Sequence, residues 1–218
     1  MARRYELIVF DWDGTLLDSA AAIAASIQAA ARDLGLAPPS DQQARHIIGL
    51  GLDDALRHAL PDLPRARYGE LSARYRQHYL AQDQALTLFA GAEELIRALG
   101  ARGHMLAVAT GKSRHGLERA FETSGLGSLF HGSRCADECH SKPHPQMLEE
   151  LIDEFGTTAE TTLMIGDTSH DMLMAHNAGV SAVAVSYGAH DRQALLSLEP
   201  LHCVDSMGEL SAWLSANA

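Results

Sequence analysis

Four short apolar runs, each stopped by glycine or an acidic residue and followed by a helix-like segment, constrain this chain more than any other feature. Tyr5 to Phe10 ends at Asp11-Trp12-Asp13-Gly14, and His104 to Thr110, Thr161 to Ile165 and Ser181 to Tyr187 repeat the design. The runs are near-continuous in Val, Ile, Leu and Met rather than alternating, which is the pattern of strands buried on both faces of a parallel sheet. Strand followed by helix, several times over, predicts an α/β fold. His202 to Asp205 adds a last short strand, and Ser206 with Glu209 three residues on predicts a capping box that opens a terminal helix through Trp213. At 218 residues and 46% hydrophobic content, there is apolar material for one substantial core or two small lobes.

A stretch of different texture lies between the first strand and the next strand–helix unit. Ile23, Ile27, Ala30, Ala31 and Leu34 share one face of a helix expected from about Ser19 and closed by Gly35, after which Pro38-Pro39 breaks the chain. Ser40 with Gln43 can cap a second helix, and Leu63 to Leu80 reads as another, carrying Tyr68, Tyr75 and Tyr79. Ile47 to Leu52 reads as an aliphatic loop. So much helix exceeds an ordinary crossover, so residues 1–16 and 86–218 are expected to form the core and residues 17–85 an inserted helical domain. Inserted straight after the first strand, it would overhang the carboxyl ends of the strands, where open α/β sheets bind ligands.

Charge narrows the partners. Seventeen Lys and Arg against 28 Asp and Glu give a net charge of −11, and no basic patch stands out to engage a nucleic-acid backbone. Met1 to Glu6 runs into an apolar stretch only from Leu7 to Phe10, too short for a secretory h-region or a membrane span, so a cytoplasmic protein is expected, either monomer or homodimer. Cys135, Cys139 and Cys203 cannot all pair within one chain and read as reduced thiols. Cys135, Cys139, His140 and His144 are soft-metal ligand types, but their spacing is not that of a structural zinc site.

Acidic residues collect at the ends of the predicted strands. Asp11 and Asp13 close the first, and Asp167 and Asp171 follow Met164-Ile165-Gly166. Two strand ends delivering carboxylates to one rim suit Mg²⁺, a hard cation that takes oxygen ligands and few protein carboxylates when substrate phosphate completes its shell. Taken singly, each Asp could equally cap a neighbouring turn or helix. Thr110-Gly111 offers a hydroxyl and N–H groups at a strand end. Lys142, restrained in Ser141-Lys142-Pro143-His144-Pro145, can serve as a point charge against phosphate and crowded aspartates.

These residues resemble the motifs of the haloacid dehalogenase superfamily of phosphohydrolases. Its first motif, DxDGT, stands as Asp11-Trp12-Asp13-Gly14-Thr15, its second as Thr110, its third as Lys142, and its fourth, GDxxxD, as Gly166-Asp167-Thr168-Ser169-His170-Asp171, in the family's order. The resemblance implies a Rossmann-like core, a small α-helical cap over residues 17–85, and phosphoglycolate-phosphatase-like relatives. It implies Asp11 as nucleophile, Asp13 as general acid/base, and Mg²⁺ held by Asp11, the Asp13 carbonyl and Asp167. Thr110, Lys142 and the N–H groups of Trp12, Asp13 and Gly111 would hold the phosphate, with Asp171 steadying Lys142 or a metal-bound water.

Departures from particular relatives narrow the reaction. Asp13 is present where dehalogenases lack an acid, the cap lacks the histidine of sugar phosphomutases after Asp18, and it contains no lysine to act as the Schiff base of phosphonatases. Gly111 stands where relatives often have Asn. Gly111-Lys112-Ser113 resembles the tail of a nucleotide P-loop, but the earlier glycine that motif needs is Leu106. The expected activity is Mg²⁺-dependent hydrolysis of a small phosphorylated metabolite, phosphoglycolate first. A pyrophosphatase or nucleotidase on the same fold, or a non-catalytic phosphate-metabolite-binding regulator, is the alternative. Arg45 or Arg57 from the insert is expected to meet a second anion; Lys112 and Arg114 either reach a substrate tail or are solvated.

Overall fold

The computed structural model describes residues 4–218. Six parallel strands, β1 (Leu7–Phe10), β2 (Met105–Thr110), β3 (Gly132–Cys135), β4 (Thr162–Gly166), β5 (Ser181–Val185) and β6 (His202–Val204), form one sheet in the order β3-β2-β1-β4-β5-β6. This is the doubly wound Rossmann-like order, with β1 at the centre between β2 and β4.

Side-chain alternation explains why the runs must be apolar throughout. Ile8, Phe10, Leu106, Val108, Leu163 and Ile165 face one layer of helices: α5 (Ala92–Ala101), α6 (Arg114–Ser124) and α10 (Met207–Asn217). Leu7, Val9, Ala107, Ala109 and Met164 face the other: α7 (Gln146–Phe155), α8 (Ser169–Asn177) and α9 (Arg192–Leu196). Every residue of β1 is buried. One strand escaped the sequence reading. The edge strand β3 is Gly-Ser-Arg-Cys, with no apolar run, and pairs only with β2. The terminal helix is capped as expected by Ser206 Oγ, which accepts from Glu209 N–H, but the Glu209 carboxylate reaches back to Asp205 N–H rather than to Ser206.

The insertion holds α1 (Ala20–Asp33), α2 (Asp41–His46), α3 (Leu52–Ala59) and α4 (Tyr68–Gln82). Ser40 and Gln43 form the expected capping box of α2, and Gly35 sits at φ +69° just past α1. The stretch expected to be a plain aliphatic loop leads straight into α3, whose buried Ala55, Leu56 and Ala59 pack the helical layer. The two connecting segments run side by side: Leu17 bridges Leu88 in antiparallel fashion, Asp18 N–H donates to the Thr87 carbonyl at 3.0 Å, and Phe89 N–H to the Leu16 carbonyl at 2.9 Å. The helices therefore leave and rejoin the core at one place, directly beside the carboxyl end of β1.

Candidate active site

Asp11 donates its backbone N–H to the Ile165 carbonyl at 2.9 Å, continuing the β1–β4 pairing one residue past Phe10. The chain then curls, with the Trp12 carbonyl accepting from Leu16 and Leu17 N–H at 3.0 Å each, and Gly14 takes φ +80°. A Cβ at Gly14 would overlap the Asp167 carboxylate, so glycine is required both for the backbone angle and for the approach of β4.

Asp11, Asp167 and Asp171 are fully buried, each offering a carboxylate oxygen within 4.8 Å of the others. Lys142, 2% exposed, places Nζ 2.8 Å from Asp11 Oδ1 and 2.6 Å from Asp171 Oδ1. Asp171 uses its second oxygen to accept from Thr168 N–H at 3.0 Å and Thr168 Oγ1 at 2.7 Å, capping α8. The helix cap and the contact with Lys142 thus coexist at this residue, one on each carboxylate oxygen. Asp167 accepts from Thr15 Oγ1 at 2.9 Å and from Ala189 N–H at 2.7 Å. Asp11 Oδ2 is buried with no hydrogen-bond partner. A buried, unpartnered carboxylate oxygen beside two further carboxylates fits a divalent cation, because a cation would relieve both the desolvation and the crowding.

Electrostatics reinforce that fit. Burial pushes the Asp11 carboxyl up to about 7, opposed by Lys142 and aided by Asp171. Burial, with Asp11 and Asp171 adding repulsion, holds Asp167 well above the carboxylate range despite its two hydrogen bonds. Burial works against the Lys142 charge, but Asp11 and Asp171 outweigh it and keep the ammonium protonated above its ordinary range. Asp11 therefore ionises between about 3.8 in the unfolded chain and about 7 in the fold. Across that window the folded state carries the extra proton, so stability without metal falls as pH rises, by at most about 1.4 kcal/mol per unit per proton, and levels above it. Since a cation binds the ionised form, Mg²⁺ is expected to raise the melting temperature more at about pH 8 than at about pH 5. Equal shifts at the two pH values, in melts with and without Mg²⁺, would contradict the assignment.

Asp13 turns the other way. Its Oδ1 accepts from Ser19 Oγ at 2.7 Å and its Oδ2 pairs with Lys112 Nζ at 3.0 Å, so its carboxylate stands apart from the three-aspartate cluster. Thr110 is fully buried at the end of β2 and accepts from Lys112 N–H at 3.2 Å. The Trp12 ring packs edge-on against Phe121 and Phe130 in the core, with ring centroids 5.2 and 6.2 Å away, so only its main chain is available at the rim. Gly111 is covered directly by the insert. A Cβ there would overlap the Leu50 carbonyl oxygen and lie 2.6 Å from that of Gly49. The absence of a side chain here admits the 49–50 loop itself. Gly111→Ala is accordingly expected to hold the insert off the core and lower kcat/KM by about 10- to 100-fold, with little change in melting temperature, because small misplacements are costly in catalysis. Parallel kinetics and thermal melts check this.

Other contacts close the insert over the core. Gly51 N–H donates to Ser141 Oγ at 2.8 Å. Buried His170 and His190 both donate through Nε2 to the His46 carbonyl, at 2.7 and 3.1 Å. Burial holds His170 down at about 4, and His190 accepts from Ser169 N–H through Nδ1, which leaves both rings neutral donors. No spacing rule singled out these histidines; the proximity of His170 to Asp171 was the only pointer. Beneath the insert lies a cavity of about 580 Å³ lined by Asp11, Asp13, Thr110 and Lys112 of the core and Tyr75 and Tyr79 of α4.

The arginines expected to meet a second anion are not in it. Arg45 pairs with Asp41 at 2.9 Å and Arg57 with Asp54 at 3.8 Å, each with a neighbour on its own helix. Arg114 clamps Glu138 at 2.7 Å and Ser133 on the surface, whereas Lys112, the residue read as equally consistent with solvation, has a side chain only 10% exposed. Cys135 and Cys139 form no metal-ligand cluster among the described residues; Cys139 lies 3.7 Å from Glu150.

Comparison with known proteins agrees with this geometry. Residues 8–185 match the family described as Haloacid dehalogenase-like hydrolase. The chain is 38% identical over 211 residues to a probable phosphatase, IndB, of Dickeya dadantii, covering 94% of this chain and 91% of that one. It is 32% identical to a phosphoglycolate phosphatase of Aliivibrio fischeri, with 96% of both chains covered, and 34% identical to a 5′-nucleotidase of Pseudomonas aeruginosa, with 94% of this chain and 93% of that one covered. With four motifs converging on one rim and a match running from β1 to β5, the chain belongs to the haloacid dehalogenase-like hydrolases and is a phosphatase of that family.

Proposed function

We propose that the protein is a Mg²⁺-dependent phosphomonoester hydrolase that works through a phosphorylated Asp11, with phosphoglycolate its first candidate substrate. The observation that carries this reading is the state of Asp11: one oxygen is held by Lys142, while the other is buried and free of partners. That second oxygen is the one a cation would take, so attack on phosphorus falls to the oxygen beside Lys142. Asp11, the Asp13 carbonyl and Asp167 would hold Mg²⁺, which would supply neutralising charge to the phosphoryl group. Lys142 adds a second positive charge, without which two anions would have to meet in a dry site. Thr110 and the N–H groups of Trp12, Asp13 and Gly111 orient the phosphoryl group.

Asp13, turned toward the cavity and away from the aspartate cluster, gives its proton to the leaving alkoxide and later takes one from the water that opens the acyl phosphate. Asp171 acts on neither substrate nor leaving group; it positions Lys142. Residues 17–85 act as a lid that excludes bulk water and surrounds the leaving group. A nucleotidase is the second reading, supported by Tyr75 and Tyr79, whose rings stack 5.9 Å apart at 22° against the cavity.

Phosphate release from phosphoglycolate, nucleoside monophosphates and pyrophosphate, each with and without Mg²⁺, tests the reading. Mg²⁺-dependent release from phosphoglycolate above the others is expected. Preference for a nucleotide would select the second reading, and saturable ligand binding without release from any ester would identify a non-catalytic binding protein.

A further inference from the structure

Lys112 is a nearly buried charged residue of the cavity wall that the hydrolytic machinery does not use. Among the described lining residues, the other basic side chains are Arg76, His115 and His140, which are exposed, and Arg119, which is engaged by Asp83. Lys112 alone carries a nearly buried charge on the leaving-group side of the phosphate, its ammonium 3.0 Å from Asp13 Oδ2 and 3.0 Å from Tyr79 Oη, and 4.9 Å from the centre of the Tyr79 ring. An ammonium has three donors, and these two partners leave a third for a ligand. Its place follows from sequence: Lys112 is two residues past Thr110, where β2 has ended and the chain turns toward α6.

We propose that Lys112 is the specificity residue for the leaving group, selecting phosphate esters whose leaving group bears its own anion, a carboxylate or a second phosphoryl group, on a short tail. The proposal rests on the hydrolase reading above and names the substrate class of that site. In the ligand-free fold the Asp13 carboxylate occupies the position such an anion would take against Lys112. A substrate anion draws the ammonium from Asp13 and leaves that carboxylate to Ser19, beside the leaving oxygen that it serves.

Reach sets the tail length. With Lys112 3.0 Å from Asp13 Oδ2, a leaving oxygen within one hydrogen bond of that same Oδ2 lies at most about 6 Å from the ammonium. An anion joined to the ester oxygen through one or two atoms fits this reach, whereas the distal groups of a long sugar chain do not. Tyr79 ties the same ammonium to α4, so the anion is read only when the insert is closed. A neutral leaving group offers nothing to exchange for Asp13, and Lys112 then stays paired with the group that should be attending to the leaving oxygen.

The test compares carboxymethyl phosphate and pyrophosphate with ethyl phosphate in wild type, Lys112→Met and Lys112→Arg. Wild type is expected to favour both anionic-tail substrates in kcat/KM by about 10- to 100-fold, the usual worth of one charge-assisted hydrogen bond. Lys112→Met should erase most of that preference, mainly through KM, while Lys112→Arg keeps part of it. A preference for only one of the two substrates would show whether the tail is read as carboxylate or phosphoryl. Absence of preference in wild type, which needs no variant to fold, or a preference surviving intact in Lys112→Met, would overturn the inference.

Calorimetry with carboxymethylphosphonate and ethylphosphonate, which cannot be hydrolysed, separates this inference from the reading beneath it. Tighter binding of the carboxylate-bearing phosphonate by wild type than by Lys112→Met, with no ester hydrolysed, would sustain the Lys112 subsite and sink the hydrolase. Equal binding together with normal hydrolysis would do the reverse.

Discussion

Asp11→Asn is expected to reduce phosphate release by about 10⁴-fold or more while leaving the protein folded. The exchange is nearly isosteric, so β1 and its register with β4 are untouched, but it removes the oxygen charge proposed to attack phosphorus. The amide keeps an acceptor for Lys142, which sits 2.8 Å away. It also relieves the repulsion that Asp11 exerts on Asp167. The melting temperature in the absence of metal should accordingly hold or rise at about pH 8, since a buried carboxylate no longer has to ionise there. Acid quench of the wild type during turnover should trap phosphate on Asp11. Label on a histidine, or normal turnover by the purified variant, would remove Asp11 from the role of nucleophile.

Lys142→Met is expected to damage activity and stability together. The ammonium is fully buried between Asp11 and Asp171, and its loss leaves two buried carboxylates without their counter-charge. Breaking a buried pair from one side costs about 3–5 kcal/mol, and the loss of electrostatic stabilisation should lower turnover by about 10²- to 10³-fold. The pH dependence identifies the cause. With the cation gone, Asp11 rises further and takes a proton more readily, so the deficit should be largest at about pH 8 and shrink toward about pH 5 as Asp11 neutralises. Urea melts at both values measure it. A deficit independent of pH would mean that Lys142 acts by filling space.

What the sequence made legible, and what it did not, follows from how each residue is held. The strand ends were readable because a strand buried on both faces has to be apolar throughout, and the break in composition at Asp11, Thr110 or Asp167 is then abrupt. β3 was invisible for the opposite reason: an edge strand with a single neighbour can be written Gly-Ser-Arg-Cys, and three of its four residues are only half-buried. Arg45 and Arg57 seemed suited to an anion because their side chains are charged and lie in the insert, yet each is satisfied by an acidic residue on its own helix. Lys112 carries the same ambiguity in one dimension and was settled only by the packing of α4 above it. The contacts of His170 and His190 with His46 cross from core to insert over 124 and 144 residues, a separation at which no local pattern survives.

The central position of β1 bears on how the chain becomes an enzyme at all. Lys142 meets Asp11 across 131 residues, Thr15 meets Asp167 across 152, and the backbone donor that steadies Asp167 is Ala189. None of these encounters is available to a partly synthesised chain until well over half of it has been made, and the Ala189 contact comes only near the end. Contacts of such sequence separation are slow to form, because loop closure must be completed before they contribute. Asp11 is made first and meets its partners last. An emerging chain thus carries Asp11 and Asp13 as ordinary solvated acids, unable to touch the phosphorylated metabolites around it, and reactivity arrives together with completion of the fold.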